Sequence, residues 1–291
     1  MKRRRLSWLC LLGLAATGAW AVTLRHQLPV GQTLRYRDEF RGEGELISPL
    51  FGNQAVPVQI TGEGREEWKI LRHLPAEDAY EIEARVLSGK VQYRVNEQVQ
   101  EVPLPKQDFV MTLTARGKVV RFQTSIPPER SVPPSNLLGL PFDFGRLLNA
   151  MRTVGFPEKD LTLGEEWGEE APLVLPDGTI LTARVRSHLT ELGERRGEPC
   201  AKVVTTFEMP VTFKGELGGM GPVDFKGKIA GTMTTYFAYP RGVVVEASGP
   251  LTVNLRILMP FEVADAQGNP VAVDSALRLR IEVKTVLEEE T

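Results

Sequence analysis

The residues of this chain equipped for chemistry are three histidines, a few runs of neighbouring glutamates, two cysteines and one oxygen-rich loop. His26, His73 and His188 have ring nitrogens able to ligate a metal. His73 and His188 each precede a leucine near the end of a strand-like segment, so two halves packed about a twofold axis would bring them together. Neither has a His, Cys or carboxylate neighbour at ligand spacing, and the pattern predicts two polar strand-end positions and no metal site. Two carboxylates flanking a sugar bond are the apparatus of glycoside hydrolysis. Here the acidic runs Glu66-Glu67, Glu165-Glu166, Glu169-Glu170 and Glu288 to Glu290 fall where solvated strand faces and a tail are expected. The stretch DAQGNPVAVD (265–274) offers Asp265, Gln267, Asn269 and Asp274 as oxygen donors. A calcium loop needs glycine where this one has Pro270, so a hairpin turn about Gly268-Asn269 is expected instead. Cys200, in GEPCAKVV, reads as a small buried apolar residue rather than a reactive thiol. No G-x-S-x-G motif occurs, and GELGGMG (215–221) lacks the Gly-Lys-Ser/Thr of a phosphate loop. No catalytic residue, cofactor or metal is assigned, and a non-enzymatic role is expected.

The elements that carry these residues are strands. YEIEARVLSGKVQYRV (80–95), FVMTLTARGKVVRFQT (109–124) and LRLRIEVKTV (277–286) alternate polar and apolar residues with period two, the pattern of a half-buried strand. Between such segments stand turn residues: Pro75 to Asp78, Arg116-Gly117, Pro176-Asp177-Gly178 and Gln267 to Asn269. Connections this short make antiparallel hairpins, because a parallel pair needs a long crossover. One segment departs from the pattern. Residues 136–156 follow Pro127, Pro128, Pro133 and Pro134, and place Phe144, Leu147, Leu148 and Met151 at helical spacing, which predicts a Pro-rich linker and a short helix.

The N-terminus reads as an export signal. Lys2 to Arg5 form a positive start, Leu6 to Thr17 a short apolar core, and Ala19-Trp20-Ala21 a small-x-small cleavage site. The apolar run is shorter than the ~20 residues that span a bilayer and is followed at once by Arg25 and His26. Leu9 before Cys10 does not fit a lipid-modified cysteine. Cleavage after Ala21 removes four basic charges and leaves 270 residues at a formal net charge of −6, against −2 for the whole chain. Without clustered Lys or Arg, the remainder has no electrostatic reason to bind nucleic acid or an anionic membrane surface. With Cys200 alone it forms no internal disulfide in the oxidising compartment to which export leads. A periplasmic or extracellular location is expected, with no transmembrane span after cleavage.

The chain also repeats itself. YPRGVVVEASG (239–249) echoes ARGKVVRFQTS (115–125), and VGQTLRY from Val30 is matched by LGEEWGE from Leu163. The separations drift, from 133 residues (Gly31 to Gly164) to 115 (His73 to His188) and 125 (Arg116 to Arg241). An extra hairpin at about 41–62 and an insertion at about 212–230 would account for that, since hairpin tips tolerate insertion. The expected fold is mainly β: two related antiparallel β units, as open-barrel or sandwich-like sheets, over 22–126 and 161–291, joined through 127–160. In Pro157, Leu161, Gly164, Glu165 and Trp167 the second opening signal resembles that of an uncharacterised family of exported bacterial two-repeat β proteins and lipoproteins. The resemblance implies the two-unit fold and brings no catalytic residues. A looser architectural analogy is to periplasmic lipid and lipoprotein carriers.

Apolar residues stand where hairpin ends should be polar: Leu46, Ile47, Leu50 and Phe51; Leu217, Met220, Val223 and Phe225; Leu258, Met259 and Phe261. Either they fold back onto the core or they line a site for apolar material. Phe51, Met220, Phe225, Met259 and Phe261 are the candidate ligand-binding residues. The expected function is an exported cell-envelope protein that binds a hydrophobic or lipid-like ligand or an envelope partner. A structural or assembly protein using the tips as protein contacts is the alternative, and a glycan-active enzyme the third. Mass spectrometry of secreted protein should find Val22 at the N-terminus. A start that retains Trp8, or a lipid on Cys10, would overturn the soluble exported assignment.

Overall fold

The computed structural model describes residues 21–104, 106, 108–124, 155–174, 180–216, 222–264 and 270–291. The expected signal core, the Pro-rich linker and the helix with Phe144, Leu147, Leu148 and Met151 lie outside these residues, as do Met220 and the turn 265–269. The chain forms β1 (Ala21–Val22), β2 (Thr33–Ile47), β3 (Ala55–Leu74), β4 (Ala79–Val95), β5 (Gln98–Pro103), β6 (Asp108–Thr114) and β7 (Val119–Thr124). It continues with β8 (Leu161–Thr162), β9 (Glu166–Val174), β10 (Ile180–Arg195), β11 (Glu198–Glu216), β12 (Pro222–Ala238), β13 (Val243–Ala264) and β14 (Pro270–Glu290). Single 3-10 turns, η1 (Pro49–Phe51) and η2 (Pro75–Glu77), close two hairpins. As the alternation predicts, the fold is mainly β and antiparallel.

Twelve strands make one open sheet in the order β7-β6-β4-β3-β2-β14-β13-β12-β11-β10-β9, with β5 on the free half of β4. The two expected β units thus share a sheet, joined where β14 pairs with β2 from Ala276–Ile47 to Glu290–Leu34. Residue alternation decides the faces. Along β14, Val273, Ser275, Leu277, Leu279, Ile281, Val283, Thr285 and Leu287 are buried, while Arg278, Arg280, Glu282 and Lys284 between them are exposed. The strands are long: at ~3.3 Å per residue, the 22 residues of β13 reach about 70 Å.

The sheet curls. Its edge strands β7 and β9 do not pair, yet Lys118 Nζ in the β6–β7 turn lies 2.7 Å from Glu169 Oε2 on β9. Elements at opposite ends of the strand order meet only if the sheet bends round on itself. Glycine permits the bend where strands come closest. A Cβ on Gly44 would lie 1.8 Å from the Arg278 carbonyl oxygen, and one on Gly62 2.1 Å from the Phe40 ring, which covers that glycine from the opposite strand.

The two matched opening signals share a hydrogen-bond pattern. Gly31 and Gly164 both have positive φ, 89° and 87°, which glycine adopts without Cβ strain. Gly31 N–H donates to Ile70 O (2.9 Å) and Ile70 N–H to Gln32 O (2.9 Å); Gly164 N–H donates to Leu189 O (2.8 Å) and Leu189 N–H to Glu165 O (3.0 Å). Immediately afterwards each strand slips register, between Ile70 and Arg72 and between Leu189 and Glu191. The equivalent pair is therefore Ile70 and Leu189, not His73 and His188. The extra length at 41–62 is a continuation of the β2–β3 hairpin rather than a hairpin of its own.

Chemical denaturation separates the tight glycines from the roomy ones. Gly44→Ala, meeting backbone, should cost about 2–3 kcal/mol. Gly64→Ala, with the flexible Leu104 Cδ1 at 3.4 Å and Ser88 O at an ordinary 3.7 Å, should change stability by about 0.5 kcal/mol or less.

Candidate ligand-binding site

The turns between strands collect at two ends of the sheet. One end carries η2, Gly31, Gly164 and the two basic-Gly turns, Ala115 to Lys118 and Tyr239 to Gly242. Across it runs an extended strap, residues 23–29, whose alternate side chains Leu24, His26 and Leu28 are buried. His26 N–H donates to Ala115 O at 2.7 Å, Arg116 Nη1 to Leu24 O at 3.1 Å, and Arg116 Nη2 to Glu158 O at 3.1 Å. The residues before β8 lie alongside: Phe156 N–H donates to Arg116 O (2.7 Å) and Trp167 Nε1 to Gly155 O (2.6 Å), while β1 pairs with β8. This end is filled by aromatic rings, with Phe156 4.7 Å from Phe237 and His26 edge-on to Phe237 at 5.2 Å.

From the strap towards the other end, the inward face is an unbroken apolar wall. It crosses β3 (Val58, Ile60), β14 (Leu277, Leu279, Ile281), β13 (Leu251, Val253, Leu255, Ile257), β12 (Phe225, Ile229) and β11 (Met209, Val211, Phe213), all buried in one cluster. Its few polar atoms are mostly paired internally: Ser275 Oγ donates to Ser48 Oγ (2.7 Å), Thr285 Oγ1 to Asp38 Oδ1 (2.5 Å), and Ser187 and Thr205 share a hydrogen bond of 2.9 Å. No lysine or arginine is among the buried described residues. The outer face is the reverse. It carries charged residues that border two open clefts of about 530 and 610 Å³, the first beside Arg41, Glu63, Lys90 and Glu282, the second beside Glu43, Glu45, Arg278 and Arg280.

The five candidate residues divide on this geometry. Phe225 is not at a tip but in the wall, fully buried and stacked on Phe213 with ring centroids 4.9 Å apart and planes 14° from parallel. Phe51, in η1, is 45% exposed, and Met259, at the slip between Leu258 and Glu262, packs half-buried against the wall. Met220 and the side chain of Phe261 lie outside the described residues.

The other chemical candidates take ordinary structural places. His73 is exposed on β3, beside Tyr80, and His188 lies on β10, with five strands between them in the sheet. Consecutive strand residues point to opposite faces, so the neighbouring glutamates do not converge. Glu66 accepts from Trp68 Nε1 (2.5 Å), Glu67 pairs with Arg35 (2.8 Å), and Glu288 lies between Arg37 and Arg65. Glu165 accepts from Thr162 N–H at 2.9 Å and pairs with Lys159, whose ammonium holds its carboxyl below the usual range. Asp274 is gripped by Arg256, with the same effect on its carboxyl. Burial pushes the Cys200 thiol up to about 11, the opposite of a reactive cysteine. Among the described residues no three His, Cys, Asp or Glu converge as metal ligands, and no helix is long and apolar enough to cross a membrane.

No protein-family model and no curated protein matches the chain. Among solved structures it is similar in fold to lipovitellin, in a structure describing lipid–protein interactions in that protein. The TM-score is 0.51 at 9% identity, over 91% of this chain and 26% of that one. The chain thus spans about a quarter of the lipovitellin chain, and at this identity the likeness is one of fold alone. A superposition on DynF, from the dynemicin biosynthesis pathway of Micromonospora chersina, covers 91% of this chain and 85% of that one at 12% identity; its TM-score of 0.24 carries no argument.

Wall and tip are separable by substitution. Phe225→Ala should cost about 3–5 kcal/mol in denaturant melts, and Phe51→Ser about 0.5 kcal/mol or less. Equal losses would place both residues in one core.

Proposed function

We propose that this protein is an exported, non-enzymatic carrier that holds a hydrophobic or lipid-like ligand against the inner face of its curled sheet. The observation that supports the reading best is the wall itself: apolar side chains from β3, β14, β13, β12 and β11 gathered in one buried cluster on one side of a single sheet. Apolar contact of this kind stabilises a bound acyl chain by about 0.8 kcal/mol per methylene taken out of water. Flexible Met209 and Met259 and the rings of Phe213 and Phe225 suit chains of varied shape. The fold likeness to lipovitellin supports the same reading, because the matched structure describes lipid contacts. Export, which the pattern of residues 1–21 supports, would put such a carrier in or beyond the cell envelope. A second reading, contact with an envelope protein through the hairpin tips, is favoured by Leu50 and Phe51, which are 47% and 45% exposed on η1.

Native mass spectrometry of protein purified from an envelope-containing host tests the carrier reading. The expected result is a lipid-mass adduct that organic extraction removes, together with enhanced emission of an apolar dye by the extracted protein and suppression of that emission by added lipid. Protein that carries nothing and leaves the dye dark would remove the carrier reading. Loss of a co-purifying envelope protein on Leu50→Ser/Phe51→Ser substitution would favour the second.

A further inference from the structure

We infer that His26 is a proton-controlled latch: neutral, it clamps the strap 23–29 to the hairpin turns of both repeats, and protonated, it releases the strap from this end of the sheet. Its backbone N–H is bonded to Ala115 O in the first basic-Gly turn, and its Nδ1 lies 2.9 Å from Gly242 O in the second. A carbonyl only accepts, so Nδ1 carries the proton and Nε2 is the bare nitrogen. The Tyr80 hydroxyl donates to the His26 carbonyl at 3.3 Å. One residue thus ties the strap to both halves.

Nε2 is buried without a protein partner, and His26 borders a cavity of about 10 Å³ lined also by Leu28, Leu34, Tyr36, Trp68, Val243 and Val244. That is room for about one water at most, in a lining almost wholly apolar. A proton added at Nε2 would create a cation in this pocket. The ionisable groups on the surrounding elements are Tyr36 on β2, Glu66 on β3, Tyr80 on β4, Arg116 in the β6–β7 turn, and the Arg25–Asp78 pair beside the strap. Glu66 is occupied by Trp68 Nε1, and Asp78 by Arg25 at 2.8 Å. From β12, β13 and the turn between them come Phe237, Val243, Val244, the Gly242 carbonyl and, next to it in the turn, Arg241, which is held by Glu198 and Glu290.

Desolvation, opposed by the bond to Gly242, lowers the His26 pKa from 6.5 to about 4. A strap lifted into water would regain the value of 6.5, so the open form binds protons more readily than the latched one. The latch is at full strength above pH 6.5 and weakens progressively as pH falls towards 4. Between pH 7.5 and 5.0 the two values favour opening by roughly 30-fold.

Amide hydrogen exchange on the full protein reads this directly, after correction for intrinsic rates. Opening of the amides of residues 24–28 should rise roughly 30-fold from pH 7.5 to 5.0 relative to those in the middle of β13, and should stay level in His26→Gln, which can still donate to Gly242 O. Strap protection that tracks β13 in the wild type, or an equal rise in the variant, would overturn the latch. If the variant does not fold, NMR titration of the wild-type imidazole decides. A midpoint near 4 with the proton on Nδ1 supports the latch, and a midpoint near 6.5 with the strap still protected removes it.

Discussion

A single sheet of strands up to 22 residues long has one face that must be kept from water, and among the described residues the other sheet is only the two-stranded β1–β8 pair, whose Leu161 and Val22 cover part of that face. Everything else in the architecture follows from that constraint. Flat, the sheet would expose the row Leu251, Val253, Leu255 and Ile257 on β13 and its neighbour row Leu277, Leu279 and Ile281 on β14. Each such side chain stabilises the fold by about 1.5–3 kcal/mol when buried, so curling is strongly favoured. The right-handed twist of strands supplies part of the curvature. Gly44 and Gly62 supply part of the rest, by removing the Cβ atoms that would strike Arg278 O and Phe40.

Curling brings the edges β7 and β9 towards each other but does not join them, so the seam is held by other means. At the strap end the means are side chains and irregular backbone: Lys118 with Glu169, Arg116 on the carbonyls of Leu24 and Glu158, and β1 with β8. Duplication acquires a mechanical sense here. Each repeat ends a hairpin in a basic residue and a positive-φ glycine, Arg116-Gly117 and Arg241-Gly242, and those turns present carbonyls to the same strap. Their arginines have diverged in partner, since Arg241 pairs with Glu198 and Glu290 instead.

Strand identity and direction were legible because burial on one face imposes period two on the sequence, and LRLRIEVKTV shows it without interruption. Which apolar residues are tips and which are wall was less so. Phe225 stands only three residues after β12 begins at Pro222, and its role depends on Phe213 and Ile257 across two ladders, a relation with no local trace. The histidine landmark failed for a related reason: the true equivalence, Ile70 with Leu189, rests on backbone bonds and bulges. His26 was hidden differently. In LRHQL it occupies the middle of an alternating buried series, Leu24, His26, Leu28, and only a reading that admits histidine as an inward residue reveals the strap.

The distribution of charge constrains what the wall can hold. An ionised group placed in a medium of low polarity needs a partner of opposite sign or a set of hydrogen bonds. The described wall provides neither in surplus: Asp38 is engaged by Thr285 and Glu66 by Trp68, and the arginines and lysines of β14 face outwards. On the carrier proposal, a ligand's acyl or other apolar portion would fit such a face, whereas a phosphate or carboxylate would have to remain outside it. Such a wall would, on that proposal, select by what it excludes. Discrimination between ligands would then fall to the hairpin tips, where Phe51 is exposed and Met259 is half-buried.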